Sequence, residues 1–231
     1  LNGIDYEMNN PSDDPALVAP FDAADLTGKA LNKVALQKLM GLPENSKVPL
    51  LSVVSRLTYQ KGFHLLFEEL EHLLQFDVQF VLLGTGDPRF EEAFRKIVAR
   101  YPEKAAAKIT FDVTLAQKIY AGSDLFLMPS AFEPCGLSQM IAMRYGTLPV
   151  VHEIGGLKDS VRPFNPMTNQ GTGFGFEQFR GFYLTEAVKQ GLQVYHDSPN
   201  VWEKLQQAAM TTDFSWETSC QNYIDLYNRL L

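Results

Sequence analysis

Short, almost wholly apolar runs recur along this chain, separated by stretches with helical spacing. A strand covered by helices on both faces has no polar side, so such runs are typical of the interior of a parallel sheet. Between the runs, apolar residues recur every three or four positions, which indicates helices. The alternation predicts an α/β fold with a Rossmann-like, doubly wound parallel sheet. The predicted strands are residues 50–55, 80–84, 108–111, 125–128 and 148–151.

Two flanking segments complete the predicted domain plan. Residues 1–25 contain three prolines and are predicted to be an extended opening segment, an interdomain linker. Residues 26–214 are the predicted sheet domain, with a first helix over residues 25–42. Residues 215–231 are a predicted last helix with Ser215 as its N-cap and an apolar stripe on one side. Because the chain does not begin with Met, we expect it to be part of a longer protein.

The composition argues against several classes of function. A net charge of −7 over 231 residues disfavours a duplex nucleic-acid partner, which requires a basic face. The two cysteines do not form a disulfide framework, and the four histidines lack a metal-ligand spacing, so no metal site is expected. No apolar run reaches the ~18 residues of a membrane span, and the first residues do not resemble a secretory signal. A few local cations still suffice to hold an anionic ligand in an acidic protein.

The loops that follow the strands are the candidate site, because ligands of a doubly wound sheet bind beyond the carboxyl ends of its strands. The loop after the first predicted strand places Arg56 and Lys61 beside the start of a helix, where backbone N–H groups already favour anions. A planar Arg fork and a Lys point charge suit a diphosphate. Two solvated loop cations would explain the same residues equally well.

The loop after the fourth predicted strand carries a carboxylate on a stiff turn. Pro134 fixes its own φ and biases Glu133 away from helical backbone. Gly136 and Leu137 are predicted to open the next helix. We therefore expect Glu133 to contact a sugar while free N–H groups of that helix contact its phosphate. A carboxylate that merely caps the helix is the alternative.

Three further features are less specific. The turn at residues 84–87 has two glycines but lacks the third of a dinucleotide-binding motif, so a plain turn with Asp87 as a helix cap also explains it. Gly155 and Gly156 either supply backbone N–H donors or form a tight turn. Phe111, at the end of the third predicted strand, either stacks on a base or belongs to the core.

These motifs occur in a characteristic order and spacing, and the run EPCGLSQ at residues 133–139 is the most specific of them. The others are Asn2-Gly3-Ile4-Asp5, Ser55-Arg56-Leu57 with Gln60-Lys61-Gly62, Gly84-x-Gly86-Asp87, Arg144-Tyr145-Gly146-Thr147-x-Pro149, Gly155-Gly156-Leu157-x-Asp159 and Asp213-Phe214-Ser215-Trp216. Together they resemble the bacterial glycogen synthases and plant starch synthases. The resemblance covers essentially the whole chain.

The resemblance implies a GT-B architecture, with this chain as its C-terminal, donor-binding half. It implies a retaining transfer of glucose from ADP-glucose to an α-1,4-glucan. Arg56 and Lys61 are then expected to bind the donor diphosphate and to stabilise the departing ADP. Glu133 is expected to contact the donor glucose, and Phe111 to stack on adenine. The other expected contacts to the nucleotide sugar are made by Gly136, Leu137, Ser138, Gly155 and Gly156.

The resemblance also implies the partners. ADP-glucose is the expected substrate and ADP an expected bound ligand, without a further cofactor or a metal. The acceptor α-glucan is expected on the family's N-terminal half, towards which residues 215–231 are expected to pack, and this chain alone is expected to be inactive. The expected compartment is the cytoplasm for a bacterial source and the plastid for a plant source.

The chain departs from the family pattern at three positions. The family usually has Arg in place of His152 and Thr in place of Ile154, so this loop loses a side-chain donor to the phosphate. Phe111 lacks the hydroxyl of the usual Tyr.

Two alternative functions stay open. One alternative is a GT-B transferase for another nucleotide sugar; many of these carry a second Glu eight residues after the first, where this chain has Ile141. The other is a non-enzymatic nucleotide-binding module, which would be expected to have a degraded phosphate site.

Overall fold

The computed structural model describes residues 1–229, and its centre is a six-stranded sheet in which every neighbouring pair of strands is parallel. The order is β3-β2-β1-β4-β5-β6. The chain therefore builds outward from β1 in one direction and then returns to β1 to build outward in the other, which confirms the predicted doubly wound sheet. The strands are β1 Leu50–Val54, β2 Gln79–Leu83, β3 Ala105–Lys108, β4 Leu125–Met128, β5 Leu148–His152 and β6 Phe174–Phe176.

Helices cover both faces of this sheet. Successive side chains of each strand point to opposite faces, so each strand contributes to the core on both sides. In β2, Val81 packs in a cluster with Leu36 and Ile119, whereas Phe80 and Leu82 join the larger cluster on the other face. Both faces are therefore sealed from water. The helices are α1 Thr27–Met40, α2 Phe63–Leu73, α3 Pro88–Arg100, α4 Val113–Gly122, α5 Ser138–Arg144, α6 Gly155–Ser160, α7 Gly181–Asp197, α8 Pro199–Met210 and α9 Trp216–Asn228, with a 3₁₀ turn over Tyr59–Lys61.

The third strand lies earlier than predicted. Residues 108–111 contain the apolar Ile109 and Phe111, but β3 covers Ala105–Lys108. A run of alanines carries little of the β-branched and aromatic signal from which a strand is predicted. Phe111 is 84% exposed in the loop beyond the strand, so it belongs neither to β3 nor to the core.

The last helix begins where the sequence predicts. The Ser215 hydroxyl accepts a hydrogen bond from the N–H of Thr218 at 3.2 Å, which confirms Ser215 as the N-cap of α9. Residues 230 and 231 of the predicted last helix lie outside the described residues. None of the described helices combines the length and the apolar character that a membrane span requires.

Candidate functional site

The loops after β1 and β4 meet at the point where the strand order reverses. A Cβ added to Gly62, whose φ is +75°, would lie 1.7 Å from the carbonyl oxygen of Pro129, so only glycine permits this approach. Gln60 fastens the two loops, since its carbonyl oxygen accepts the N–H of Ala131 at 2.9 Å. Its side-chain amide donates to the carbonyl of Phe132 at 3.1 Å. Side chains from both loops are thereby held in one crevice.

Lys61 and Glu133 form an ion pair in this crevice. The Lys61 ammonium donates to Glu133 Oε2, and the Ser130 hydroxyl donates to the same oxygen at 3.2 Å. The Glu133 side chain is 8% exposed, whereas that of Lys61 is 18% exposed. Oε1 of Glu133 accepts no hydrogen bond from the described residues. The pair therefore holds the carboxylate in place and leaves one of its oxygens without a protein donor.

Arg56 lies beside this pair. Its side chain is exposed, and its guanidinium makes no ion pair within residues 1–229. Arg56 and Lys61 line a cavity of about 220 Å³ together with Ser130 and Ser138. An anion placed there would lie near both cations. Glu133, from the loop after β4, is not in the wall of this cavity and joins the two cations through its ion pair with Lys61.

The segment before α5 carries backbone N–H groups close to this cavity, whose wall includes Ser138. The helix begins at Ser138 with Leu137 as its N-cap, two residues later than the predicted start at Gly136. Gly136 is left-handed, with φ of +71°, and so cannot belong to the first helical turn. Among the described residues, no protein acceptor takes the N–H groups of Gly136, Leu137 or Ser138.

A second, mostly apolar cavity of about 510 Å³ continues from the first. The two share Ser55, Arg56 and Ser138 in their walls. Phe111 lines the second cavity with an almost fully exposed ring. Tyr120 lies in the same wall, and burial raises the pKa of its hydroxyl to about 12, so it stays neutral at physiological pH. The crevice thus has a cationic end and an apolar end.

Of the two remaining glycine turns, the one at residues 155–156 lines neither cavity, whereas Gly84 of the other lines the apolar cavity. The N–H of Gly156 donates to the carbonyl oxygen of Glu133 at 2.9 Å and is therefore already engaged. A Cβ on Gly155 would lie 2.3 Å from that same carbonyl oxygen, so both glycines allow this loop to seat against the Glu133 turn. In the turn at residues 84–87, the Asp87 carboxylate accepts the N–H of Arg89 at 2.9 Å, which confirms the helix-cap interpretation.

Sequence reasoning missed the support beneath the ion pair. His152 is buried at the end of β5, where its Nδ1 lies 2.8 Å from the carbonyl oxygen of Ser130 and its Nε2 lies 3.3 Å from that of Glu177. Ser130 in turn donates to Glu133. Both residues stand at the carboxyl ends of strands, which is the signal that would have found them. Of the residues described, no group of His, Cys, Asp or Glu is arranged to hold a metal ion.

Comparison with known proteins agrees with this geometry. Curated glycogen synthases from Ligilactobacillus salivarius and Streptococcus equi subsp. equi are each 59% identical over all 231 residues. The chain spans about half the length of these relatives, 48% of each. The catalytic domain of starch synthase IV from Arabidopsis thaliana, bound to ADP and acarbose, superimposes with a TM-score of 0.93 at 40% identity, covering 99% of this chain and 48% of that one.

These likenesses confirm the resemblance to glycogen and starch synthases and the predicted fold, the Rossmann-like C-terminal half of a GT-B glycosyltransferase. The family model that describes glycosyl transferases group 1 matches residues 39–200, which include every strand of the sheet. With the fold, the site loops and the family model in agreement, the chain belongs to the glycosyl transferases group 1.

Proposed function

We propose that this chain is the donor-binding half of a retaining glucosyltransferase that moves glucose from ADP-glucose to the non-reducing end of an α-1,4-glucan. The observation that carries the proposal is the convergence of Arg56 with the Lys61–Glu133 pair at the point where the strand order reverses. The apolar cavity that continues from this point has room for a base. The likeness to a starch synthase that binds ADP supports ADP as the nucleotide.

In this proposal the two cations, Arg56 and Lys61, bind the diphosphate. Arg56 offers a planar fork that has no ion-pair partner within residues 1–229, and Lys61 adds a point charge that an arriving phosphate shares with Glu133. As the bond to glucose breaks, negative charge develops on the departing ADP, and these fixed cations stabilise it. The N–H groups of residues 136–138 contact the distal phosphate, as the free donors at the start of α5 allow.

The carboxylate and the exposed aromatic ring hold the two ends of the donor. Glu133 Oε1 accepts a hydrogen bond from a hydroxyl of the glucose, while Oε2 stays with Lys61 and Ser130. Phe111 stacks on adenine, for which its exposed face and apolar surroundings are suited. Gly155 and Gly156 act by holding the Glu133 turn in position.

The acceptor glucan binds, in this proposal, on the other half of a full-length protein, and transfer requires both halves. The last helix carries exposed apolar side chains, of which Tyr223 and Ile224 are each 49% exposed and Tyr227 is 62% exposed. We expect this face of α9 to pack on that other half. The likeness to bacterial glycogen synthases supports the cytoplasm as the place of action.

Calorimetric titration with ADP, UDP and ADP-glucose tests the donor assignment. We expect ADP and ADP-glucose to bind, and UDP to bind at least about tenfold more weakly, because the purine has the larger surface for stacking. Equal or tighter binding of UDP would indicate a transferase for another nucleotide sugar. Binding of ADP without binding of ADP-glucose would indicate a regulatory module.

A further inference from the structure

Part of the wall of the apolar cavity comes from the opening segment, and the rest comes from the sheet domain. Met8 and Asn9, from the opening segment, line it together with Phe111 and Gln117. The Gln117 side-chain amide donates to the carbonyl oxygen of Met8 at 3.3 Å, so this part of the segment lies directly on α4. Met8 lines the cavity and is 57% exposed, so a ligand can reach this residue.

The backbone of Met8 is held in a defined turn. The Asp5 carboxylate accepts the N–H groups of Glu7 and Met8, each at 2.9 Å, and the Asp5 carbonyl accepts the N–H of Asn9 at 3.0 Å. These bonds close a compact turn around Asp5. Met8 is thereby presented to the cavity without having to be ordered by the ligand.

The turn is also anchored to the rest of the domain. The guanidinium of Arg144 lies 4.5 Å from the centre of the Tyr6 ring, and its Nε donates to the carbonyl oxygen of Asn9 at 3.3 Å. The Tyr6 hydroxyl accepts the N–H of Phe214 at 2.8 Å. The opening segment is thus tied to both α5 and the segment before α9.

We propose that Met8 contacts the nucleotide base, so that the opening segment forms part of the base pocket. The inference rests on the proposed function, because it takes the occupant of the apolar cavity to be the base of a nucleoside diphosphate. A polarisable thioether packs well against the face or edge of an aromatic ring, and a purine offers both. Base binding then joins the opening segment to the sheet domain through one ligand.

Oxidation footprinting tests this contact in the unaltered protein. Dilute hydrogen peroxide converts an exposed methionine to its sulfoxide, and mass spectrometry measures the rate at each position. We expect saturating ADP to slow the oxidation of Met8 at least about threefold, since a contacting base would exclude peroxide from the sulfur.

Met167, which is 89% exposed and lines neither cavity, is the internal control, and its oxidation rate should not change. Inorganic pyrophosphate, which has no base, should protect neither. Equal oxidation of Met8 with and without saturating ADP would overturn the proposal.

Substitution provides the second measurement. We expect Met8→Ala to weaken ADP binding about twofold to tenfold, the range of a thioether–aromatic contact, and to leave pyrophosphate binding unchanged. Phe111→Ala distinguishes a failure of this inference from a failure of the proposed function on which it rests. If Phe111→Ala weakens ADP binding and Met8→Ala does not, Met8 has no contact with the base. If neither substitution affects ADP, the base does not occupy this cavity, and the proposed donor site fails with the inference.

Discussion

Two lysine–carboxylate pairs stand at opposite ends of the same sheet. Lys61–Glu133 lies beyond the carboxyl ends of the strands, beside the cationic cavity. Lys33–Asp124 lies at the start of β4, where the ammonium is 2.6 Å from the carboxylate and the side chains are 3% and 9% exposed. In the second pair, the carboxylate oxygen of Asp124 that meets Lys33 also accepts the N–H of Leu50 at 2.7 Å, and Lys33 donates to a tyrosine hydroxyl at 3.1 Å.

The chemistry of the two pairs is the same, and what differs is their surroundings: Lys33 is buried, whereas Lys61 is partly exposed and faces a cavity that Arg56 also lines. A buried ion pair offsets its desolvation only with the help of further hydrogen bonds, and the N–H of Leu50 and a tyrosine hydroxyl supply two of them to Lys33–Asp124. The pair at the site has a partly exposed cation and lies beside Arg56, whose charge is unpaired among the described residues. A structural pair is thus distinguished from a candidate binding pair by its surroundings.

Removing the cation from the sealed pair should have the largest effect on stability. We expect Lys33→Met to lower the free energy of unfolding by about 3–5 kcal/mol, because it leaves Asp124 as a buried charge without a counter-ion. Lys61→Met should lower it by about 1 kcal/mol or less, because Lys61 is partly exposed and water in the cavity can replace it. Urea denaturation of both variants measures the difference. Equal losses of stability would erase the distinction between the pairs.

For nucleotide binding, in contrast to stability, we expect the pair at the site to matter rather than the sealed pair. We expect Lys61→Ala to weaken ADP binding about tenfold to a hundredfold, because a charge-assisted contact contributes about 1.5–3 kcal/mol. Calorimetry on the variant measures this loss. Lys47→Ala, which removes an exposed lysine that lines neither cavity, is the matched control. Undiminished ADP affinity in Lys61→Ala would exclude the phosphate role and make both pairs structural.

How much of this could be predicted from the sequence differs between the two ends of the sheet. At the carboxyl end, strands and motifs predicted that Arg56, Lys61 and Glu133 would converge, because parallel strands deliver their following loops to one edge. At the amino end, Lys33 and Asp124 carry no signal of pairing: one lies within a helix and the other in the short turn before β4.

The errors in the site have a related cause. Apolar residues are normally buried, which is why the sequence predicts Phe111 at the end of a strand, yet its side chain is exposed, as the proposed stacking on a base requires before the ligand binds. The positions of Met8 in the cavity wall and of His152 beneath Ser130 depend on which distant segments pack together. Local pattern does not contain that information, because both contacts join elements far apart along the chain.

A third lysine adds a dependence on pH to the sealed end. Lys29 is buried in α1, where its ammonium donates to the carbonyl oxygens of Ala121 at 3.0 Å and Tyr145 at 2.8 Å and to the hydroxyl of Thr147 at 2.8 Å. Burial lowers its pKa from 10.5 to about 7; Asp124 opposes this shift and Lys33 adds to it. The folded chain therefore releases this proton near pH 7, whereas the unfolded chain keeps it until about pH 10.5.

Between these two values the unfolded chain binds more protons, so raising the pH favours the folded chain. We expect the free energy of unfolding, relative to that of Lys29→Met, to rise by about 1 kcal/mol between pH 7 and pH 8. Denaturation of the unaltered chain and of Lys29→Met at both pH values measures this change, and Lys47→Met should keep the pH dependence of the unaltered chain. If Lys29→Met kept that dependence too, Lys29 would hold its proton throughout this range and the three carbonyl and hydroxyl oxygens would be bound by a permanent cation.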